Sequence, residues 1–284
     1  MKFSIVICTL NRPIILEKCV DSILKQTFEN YEIIIIDQSN DYNKLIEQKS
    51  DKIIYKHIKQ KGLSNARNVA IKIASGNYFC LMDDDAEYEN NVLEIANNIL
   101  SKNDITILCG NIFDVKKSKS FLSGMNNNTN LTTYQNIFKT CASGAMMIKT
   151  DFLKKYNFDD SLGIGRHWGS GEETDIVLLA LHEKRKVLFS PDIVVYHPYT
   201  EKRDIPVKKA YSYSLGYGAL CKKHIVRYKA KIMYYHYFKA LFKHHVALLL
   251  SIIKQDRQLY EYYIKSIKGK MQGYKEYSQW ILDF

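Results

Sequence analysis

Short apolar runs alternate with helical patterns along the first 110 residues, and this alternation restricts the chain to few folds. The strand candidates, which contain many β-branched residues, are residues 3–8, 33–36, 52–58, 78–82 and 105–109. Between them, apolar residues recur at helical spacing after Pro13, which suits a first helical position, after Ser64, which suits an N-cap, and from Val92. Strands that alternate with helices predict βαβ units, a parallel sheet and a three-layer α/β sandwich.

The second half of the chain changes pattern. Residues 112–142 are polar, with four asparagines between 125 and 130, which predicts a mobile loop. Strand and helix patterns return at 145–149, 150–156, 173–183 and 192–197, and beyond Pro198 only helical patterns follow, at 206–224, 229–253 and 256–280. We therefore expect an α/β domain over residues 1–200 and a helical C-terminal region over 201–284.

The net charge of +11 arises entirely in the C-terminal region. Residues 1–200 carry 24 Lys and Arg against 24 Asp and Glu, whereas residues 201–284 carry 17 against 6, with 12 of the 21 tyrosines. A basic, aromatic-rich region indicates an anionic partner, either nucleic acid or membrane phospholipid. The alternative is a solvated basic face on helices that pack onto the α/β body. The region has no zinc-ligand spacing and no RNP or KH motif.

Residues 228–253 favour the membrane as partner. Lysines 229, 231, 239 and 243 alternate there with Tyr, Phe and Leu residues, a pattern typical of a helix lying at a lipid interface. No apolar stretch reaches the ~18 residues of a spanning helix. Six scattered cysteines are expected to be free thiols, and the N-terminus has no secretory pattern. We expect a cytoplasmic protein, peripheral on the inner face of the membrane, although a packing or oligomerisation role of the tail stays open.

Polar residues follow the predicted strands, at the edge where open parallel sheets bind ligands. Thr9, Asn11 and Arg12 follow the first strand, Asp37 ends the second, and the run Asp83, Asp84 and Asp85 ends the fourth. Three adjacent carboxylates repel one another, and Mg²⁺ or Mn²⁺ held by a carboxylate and substrate phosphates would relieve that repulsion. An acidic turn or a helix N-terminus is the alternative.

Several motifs occur together in one order. They are SIVICTLNRP (4–13), EIIIIDQSND (32–41), GLSNARNVAIKIASGNYFCLMDDDAEY (62–88), GAMMIK (144–149), GSGEETDIVLLAL (169–181) and VVYHP (194–198). The chain thereby resembles, over about residues 1–200, the GT-A fold glycosyltransferases of family two, which are inverting nucleotide-sugar transferases. The resemblance implies a GT-A three-layer α/β/α sandwich, here with a C-terminal helical appendage.

The resemblance also implies roles for the residues at the strand ends. Thr9 and Asp37 match positions that hold the nucleotide, where Asp37 accepts from the uracil N–H, and Arg67 matches a residue that lines the nucleotide pocket. Asp83 matches the position on the ribose side, and Asp85 and His197 match ligands of Mn²⁺ or Mg²⁺, for which Asp83 is a further candidate. The other residues of the expected donor site are Asn11, Arg12 and Asp84. One position departs from the family, because Gln38 stands where many relatives have a second Asp after Asp37.

The acceptor side is expected at residues 163–175. Glu173 matches the family's catalytic base, Glu172 lies beside it, and Asp175 is the second choice. An inverting displacement needs a carboxylate that removes the acceptor proton. Acidic residues favoured at a helix N-terminus are the alternative. Trp168 is either a platform for a sugar face or a core tryptophan.

The resemblance therefore predicts a metal-dependent glycosyltransferase. It would move a sugar, with UDP favoured as carrier, to a glycan or lipid-linked glycan acceptor in cell-surface polysaccharide synthesis. A nucleotidyltransferase is one alternative, but CTLNRP lacks the Gly-rich phosphate loop that it needs after the first strand. A non-enzymatic nucleic-acid-binding protein acting through the basic tail is the other. The expected partners are the donor, the acceptor and an anionic membrane surface, without nucleic acid, and a homo-oligomer stays open.

Overall fold

The computed structural model describes residues 1–114, 119–120 and 128–282. The chain forms two compact units. The first consists of Met1–Phe158 and Ile176–Tyr199, and the second of Asp159–Asp175 and Thr200–Phe284. The segment Asp159–Asp175 therefore belongs with the helical C-terminal region, and the division of the chain into domains at residue 200 stays a prediction.

The first unit contains one mixed β-sheet. Its strands in the described residues are β1 (Phe3–Thr9), β2 (Tyr31–Asp37), β3 (Ile53–His57), β4 (Tyr78–Asp83), β5 (Glu87–Tyr88), β6 (Ile107–Asp114), β7 (Lys119–Ser120), β8 (Asn130–Leu131), β9 (Met146–Lys149) and β10 (Val187–Tyr196). The order is β3-β2-β1-β4-β9-β6-β10-β5, with β7 beside β6 and β8 beside β10. β3, β2, β1 and β4 are parallel, as the βαβ pattern predicts, whereas β9 runs antiparallel to β4 and to β6.

Helices cover both faces of this sheet. The helices up to residue 182 in the described part of the chain are α1 (Pro13–Leu24), α2 (Lys44–Glu47), α3 (Leu63–Ile73), α4 (Val92–Leu100), α5 (Ile137–Thr140), α6 (Thr150–Tyr156) and α7 (Glu172–His182), of which α7 begins in the second unit. Alternate residues of β1, such as Ile5 and Ile7, form one apolar core with α1 and α4. α3 packs on β1 and β2 from outside that core. The predicted three-layer α/β arrangement is therefore confirmed.

Local details differ from the sequence-based expectations. Ser64 does not cap α3, because Gly62 occupies the N-cap with a φ of 121°, a value that glycine adopts without strain. The polar stretch 112–142 contains the end of β6, together with β7, β8 and α5. The remainder of that predicted loop, residues 115–118 and 121–127, lies outside the described residues.

The second unit is helical, which confirms the predicted C-terminal appendage. α8 (Val207–Tyr228), α9 (Ile232–Ile253) and α10 (Arg257–Leu282) follow one another along the chain. α8 and α10 approach closely, since a Cβ on Gly273 of α10 would overlap the carbonyl oxygen of Leu215 of α8. Tyr237 of α9 stacks on Tyr274 of α10, with ring centroids 4.3 Å apart. Across the described helices, none has the length and apolar character needed to cross a bilayer.

Candidate active site

The register of the parallel strands brings the predicted polar residues to one edge of the sheet. Thr9 at the end of β1 is paired with Asp37 at the end of β2. On the other side of β1, Cys8 is paired with Asp83 at the end of β4. Because parallel strands end at the same edge, the residues that follow β1 and β4 meet there.

Asp84 connects the segments after β1 and β4. One of its carboxylate oxygens accepts a hydrogen bond from the Thr9 hydroxyl at 2.7 Å, and the other lies 2.9 Å from a guanidinium nitrogen of Arg12. The same Arg12 nitrogen is 3.1 Å from Asp85. Asp84 is buried, whereas the side chains of Asp83 and Asp85 are each 29 % exposed. The middle carboxylate therefore faces the protein interior, whereas its two neighbours are partly exposed to solvent.

His197, which follows β10, joins the cluster through Asp85. Its Nε2 lies 3.0 Å from an Asp85 oxygen, and its Nδ1 lies 2.8 Å from the Pro198 carbonyl oxygen. A carbonyl oxygen only accepts, so Nδ1 carries a proton, and Nε2 needs a second proton to donate to the carboxylate. Burial acts to lower the pKa of His197, but its hydrogen bond to Asp85 and the charges of Asp85 and Asp83 raise it above the ordinary value.

The acidic run is neutralised in part by these cations. The hydrogen bond from His197 lowers the pKa of Asp85, and the charge of Arg12 adds to that effect. Burial raises the pKa of Asp84, although Thr9 and Arg12 act in the opposite direction. The sequence assigned the relief of carboxylate repulsion to a metal ion, whereas the structure shows that the Arg12 guanidinium also supplies positive charge, to which His197 adds when it is protonated.

The side chains of this cluster fit a divalent cation only if a bound substrate supplies further oxygen ligands. Within the described residues, no three His, Cys, Asp or Glu side chains converge into a metal site. Asp85 and His197 nevertheless present an oxygen and a nitrogen 3.0 Å apart, and Nε2 could exchange its proton for a metal. Two protein ligands completed by substrate phosphates are an ordinary arrangement for Mg²⁺. The donor set therefore fits a metal that arrives with a diphosphate.

Asp37 lies in a second group of contacts at the end of β2. Its two oxygens accept hydrogen bonds from the Tyr55 hydroxyl at 2.6 Å and from the backbone N–H of Ser39 at 2.8 Å. The Ser39 hydroxyl accepts from the backbone N–H of Asn11, which has a φ of 56°. Asn11 and Asp37 are thus joined through Ser39. Burial and the hydrogen bond to Asp37 raise the pKa of Tyr55, so that this hydroxyl stays protonated and donates.

Gln38, the position that departs from the family pattern, holds the segment before α3. Its side-chain amide donates to the carbonyl oxygens of Gln60 and Gly62, at 2.5 and 3.3 Å. A carboxylate at this position could not donate to either carbonyl. The departure is thereby explained by a structural contact.

Arg67, predicted to line the nucleotide pocket, lies beside Asp83. Its guanidinium is 3.9 Å from an Asp83 oxygen and 5.5 Å from the centre of the Phe158 ring, and the residue is buried. The Ser143 hydroxyl donates to the other Asp83 oxygen at 3.4 Å. A Cβ on Gly144 would come within 2.9 Å of that same oxygen.

Three contributors to this site were missed by the sequence analysis. Tyr55, Ser39 and Ser143 each hydrogen-bond to a predicted site residue or to its neighbour. Ser143 directly precedes GAMMIK, a segment already singled out, so its position next to a motif was an available signal. Ser39 lies two residues after Asp37, within the motif at 32–41, so that motif was an available signal for it as well. Tyr55 carried no signal, because only the pairing of β2 with β3 brings it to Asp37.

The predicted acceptor residues Glu172, Glu173 and Asp175 lie in the first turn of α7, which belongs to the second unit. The rest of α7, from Ile176, belongs to the first unit. Asp175 is 1 % exposed and joins two residues of α8, with Lys223 Nζ at 2.8 Å and His224 Nε2 at 2.8 Å. Lys223 also contacts Asp159 at 2.7 Å. Burial opposes the charge of Lys223, but Asp175 and Asp159 raise its pKa. Both oxygens of Asp175 are thus committed to a buried ion-pair cluster.

Glu173 is the least buried of the three predicted acidic residues. Glu172 is 3 % exposed, whereas Glu173 is partly exposed at the start of α7. Trp168 is 1 % exposed, and its ring lies against Tyr277 with centroids 5.0 Å apart. A ring covered in this way has no open face for a sugar, so the structure favours the alternative of a core tryptophan.

Solved structures with the same architecture identify the fold. Staphylococcus aureus TarS 1–349 in complex with UDP-GlcNAc has a TM-score of 0.60 at 18% identity, covering 98% of this chain and 92% of that chain. A mannosyltransferase, PcManGT from Pyrobaculum calidifontis, in complex with GDP-Man and Mn²⁺, has a TM-score of 0.65 at 12% identity, covering 95% and 87%. The chain has the GT-A fold of these glycosyltransferases.

The sequence itself places the chain within that class. The model of glycosyl transferase family 2 matches residues 4–158, which are 155 of the 284 residues. The chain belongs to this family, which confirms the family prediction and favours the glycosyltransferase interpretation over both alternatives.

Two relatives are bacterial proteins, one named as a glucosyltransferase and the other for teichoic acid biosynthesis. One is the Escherichia coli UDP-Glc:alpha-D-GlcNAc-diphosphoundecaprenol beta-1,3-glucosyltransferase WfgD, 28% identical over 161 residues, or 55% of this chain. The other is the Bacillus subtilis minor teichoic acid biosynthesis protein GgaB, 28% identical over 201 residues, or 65% of this chain. The matches cover 63% and 21% of these relatives' own lengths.

Proposed function

We propose that this chain transfers a sugar from a UDP-sugar to a hydroxyl of a glycan or lipid-linked glycan during cell-surface polysaccharide synthesis. The observation that carries the proposal is the cluster of Thr9, Arg12, Asp84, Asp85 and His197 at the carboxyl ends of β1, β4 and β10. The names of WfgD and GgaB support the class of acceptor. The TarS complex supports UDP as the carrier.

The nucleotide would lie over the ends of β1 and β2. Thr9, Asn11, Asp37 and Arg67 are the residues proposed to hold it. Each Asp37 oxygen accepts one hydrogen bond in the structure and retains a second lone pair for a uracil N–H. Tyr55 and Ser39 fix the orientation of that carboxylate, so that the ligand does not have to order it on binding.

The diphosphate would bind at the acidic run. Asp85 and His197 would hold Mn²⁺ or Mg²⁺, which when bound stabilises the negative charge of the leaving diphosphate. Asp83 would face the ribose, with Ser143 and Arg67 holding its side chain. Arg12 adds a fixed cation beside Asp85. Positive charge placed in advance at a leaving group is a major contribution to catalysis of such transfers.

Glu173 is the proposed general base, with Glu172 beside it as a supporting residue. The acceptor oxygen would bond to the anomeric carbon opposite the diphosphate, the bond to the diphosphate oxygen would break, and the acceptor proton would pass to Glu173. One such displacement inverts the anomeric configuration. Asp175, the second choice from the sequence, is fully engaged with Lys223 and His224.

A donor screen tests the proposal. Nucleotide release is measured with UDP-, GDP- and dTDP-sugars in the presence of Mn²⁺, with and without a cell extract that contains glycan and lipid-linked glycan acceptors. We expect release from a UDP-sugar that increases with acceptor and yields the inverted linkage by NMR. Release from none of the donors, or retention of the anomeric configuration, would contradict the proposal.

A further inference from the structure

α9 carries a continuous exposed apolar surface along one side. We call it the α9 stripe, and its members are Tyr235 (54% exposed), Phe238 (60%), Phe242 (70%), Val246 (40%), Leu249 (60%) and Ile253 (76%). Their spacing of three or four residues places them on one face of the helix. Eighteen residues separate the first from the last, so the stripe is about 27 Å long.

The opposite face of α9 is the one that packs within the second unit. Met233, His236, Tyr237 and Ser251 are buried there. Tyr237 stacks on Tyr274, although the sequence pattern grouped it with the aromatic residues expected at an interface. The helix is thus already anchored through this face, and the α9 stripe is not needed for that packing.

The charged residues of α9 and of its flanks from Lys229 to Lys254 are all basic. Lys239 and Lys243 lie beside it on the helix, and Lys229, Lys231 and Lys254 lie near the two ends. The sequence of Ile232–Ile253 contains no Asp or Glu. Lys239 and Lys243 are both exposed. The surface therefore combines an apolar strip with cations that no acidic residue of the same helix neutralises.

We propose that the α9 stripe docks on the surface of an anionic phospholipid bilayer. Its aromatic and aliphatic side chains would enter the boundary between headgroups and acyl chains, and the lysines would contact the anionic headgroups. α9 itself is not apolar enough to cross the bilayer. The proposal concerns where the chain resides and does not depend on the transfer reaction.

Charge favours lipid over a second copy of the chain as the occupant. In a two-fold antiparallel pair of α9 helices, residues near the helix centre face each other. Lys243 lies at the centre of Ile232–Ile253, and Lys239 lies one turn before it, so pairing would bring the lysines of both copies together. Like charges that face each other across an interface oppose association. An anionic bilayer instead attracts them.

Co-sedimentation with vesicles tests the proposal. The full chain is mixed at low salt with vesicles of phosphatidylglycerol and phosphatidylcholine, or of phosphatidylcholine alone. We expect binding to the anionic vesicles and at least ~10-fold weaker binding to the neutral ones. The double variant Phe238→Ser with Phe242→Ser removes the two central rings of the stripe, and Lys239→Glu with Lys243→Glu reverses the charge beside it. Each double variant should bind the anionic vesicles at least ~10-fold more weakly than the unchanged chain.

Matched variants separate the stripe from general effects. Leu45→Ser removes an apolar side chain that is 83% exposed in the first unit, and Lys265→Glu with Lys268→Glu reverses two exposed charges of α10. Both should bind anionic vesicles as the unchanged chain does. Circular dichroism and UDP binding should be unaltered in every variant, which distinguishes failure at the membrane from failure of the proposed function.

Three results would overturn the proposal. The unchanged chain could stay in the supernatant at low salt, or the α10 variant could lose binding as fully as the α9 charge variant. The chain could also form a dimer, measured by light scattering, that Phe238→Ser with Phe242→Ser dissociates while vesicle binding is absent. The last result would assign the α9 stripe to a second copy.

Discussion

At the residue scale, the three consecutive aspartates after β4 have different surroundings. Asp83 and Asp85 are partly exposed, whereas Asp84 is buried and holds Thr9 and Arg12. The sequence placed all three at the edge of the sheet but could not show which one points inward. That distinction depends on the turn after β4, in which the backbone N–H of Ala86 donates to the Asp83 carbonyl oxygen.

The buried position of Asp84 leads to a stability prediction. Asp84→Ala leaves the Thr9 hydroxyl, which is also buried, without its acceptor. An unsatisfied buried polar group costs about 1–3 kcal/mol, so we expect a loss of that size in the free energy of unfolding. Urea denaturation measures it, with the exposed Asp51→Ala as control. Equal stability of the two variants would contradict the supporting role of Asp84.

Glu32 on β2 makes the free energy of unfolding depend on pH in the acidic range. Burial acts to raise its pKa, but hydrogen bonds from Lys2, Ser4 and Ser75 lower it from 4.5 to about 2. A carboxyl with a depressed pKa contributes stability above its unfolded value and loses the contribution as pH falls through its folded value. We therefore expect the free energy of unfolding to decline between about pH 4.5 and 2.

Glu32→Gln should lack this part of the acid dependence, because an amide does not titrate. Urea denaturation at several pH values between about 6 and 2 measures the slope for the unchanged chain and the variant. Glu47→Gln, at an exposed position of α2, is the control and should retain the slope. The account of Glu32 is wrong if Glu32→Gln and the unchanged chain lose stability in parallel.

Glu173 should be separable from Asp175 by experiment. Glu173→Gln is expected to lower the transfer rate by ~10²–10⁴-fold while UDP still binds, as for loss of a general base. Asp175→Asn is instead expected to lower the free energy of unfolding, because it removes a negative charge that the buried Lys223 contacts. Single-turnover rates and urea denaturation distinguish these outcomes. A near-normal rate in Glu173→Gln, with a stable but inactive Asp175→Asn, would move the base to Asp175.

At the element scale, the crossing of α8 and α10 depends on glycine. Gly218 of α8 faces the backbone of Lys270, and Gly273 of α10 faces the backbone of Leu215. Helix backbones can approach this closely only where no side chain intervenes. The sequence showed glycines in two helical patterns, but it could not show that they meet, because the contact joins residues more than 50 positions apart.

Gly273→Ala tests this crossing. The added methyl group would overlap the Leu215 carbonyl oxygen, and backbone cannot move aside as a side-chain tip can. We expect a destabilisation of about 3 kcal/mol or more, at the upper end for overpacking. Thermal unfolding measures it, and Lys275→Ala, exposed on the same helix, is the control. A melting temperature unchanged from that control would refute the close crossing.

At the scale of the whole molecule, the sequence predicted the features that follow from a local pattern and missed those that depend on contacts between residues far apart in the chain. Strands such as β1 and β4 were predictable, because a parallel strand buried on both faces requires a continuous apolar run. The candidate site was predictable where it lies next to such strands, as at Thr9 and Asp85. The burial of Trp168 was not, because it depends on Tyr277, more than 100 residues away.

UDP binding at the sheet edge tests the central claim most directly. Isothermal titration of UDP in the presence of Mn²⁺ compares the unchanged chain with two variants. Asp85→Asn keeps the shape of the side chain and removes its charge, and Leu45→Ser is the control at an exposed position of α2. We predict that the unchanged chain and Leu45→Ser bind UDP, and that Asp85→Asn binds at least ~10-fold more weakly, as expected for losing a charged ligand of the metal. Equal UDP affinity in all three proteins would contradict the assignment of this cluster as the donor site.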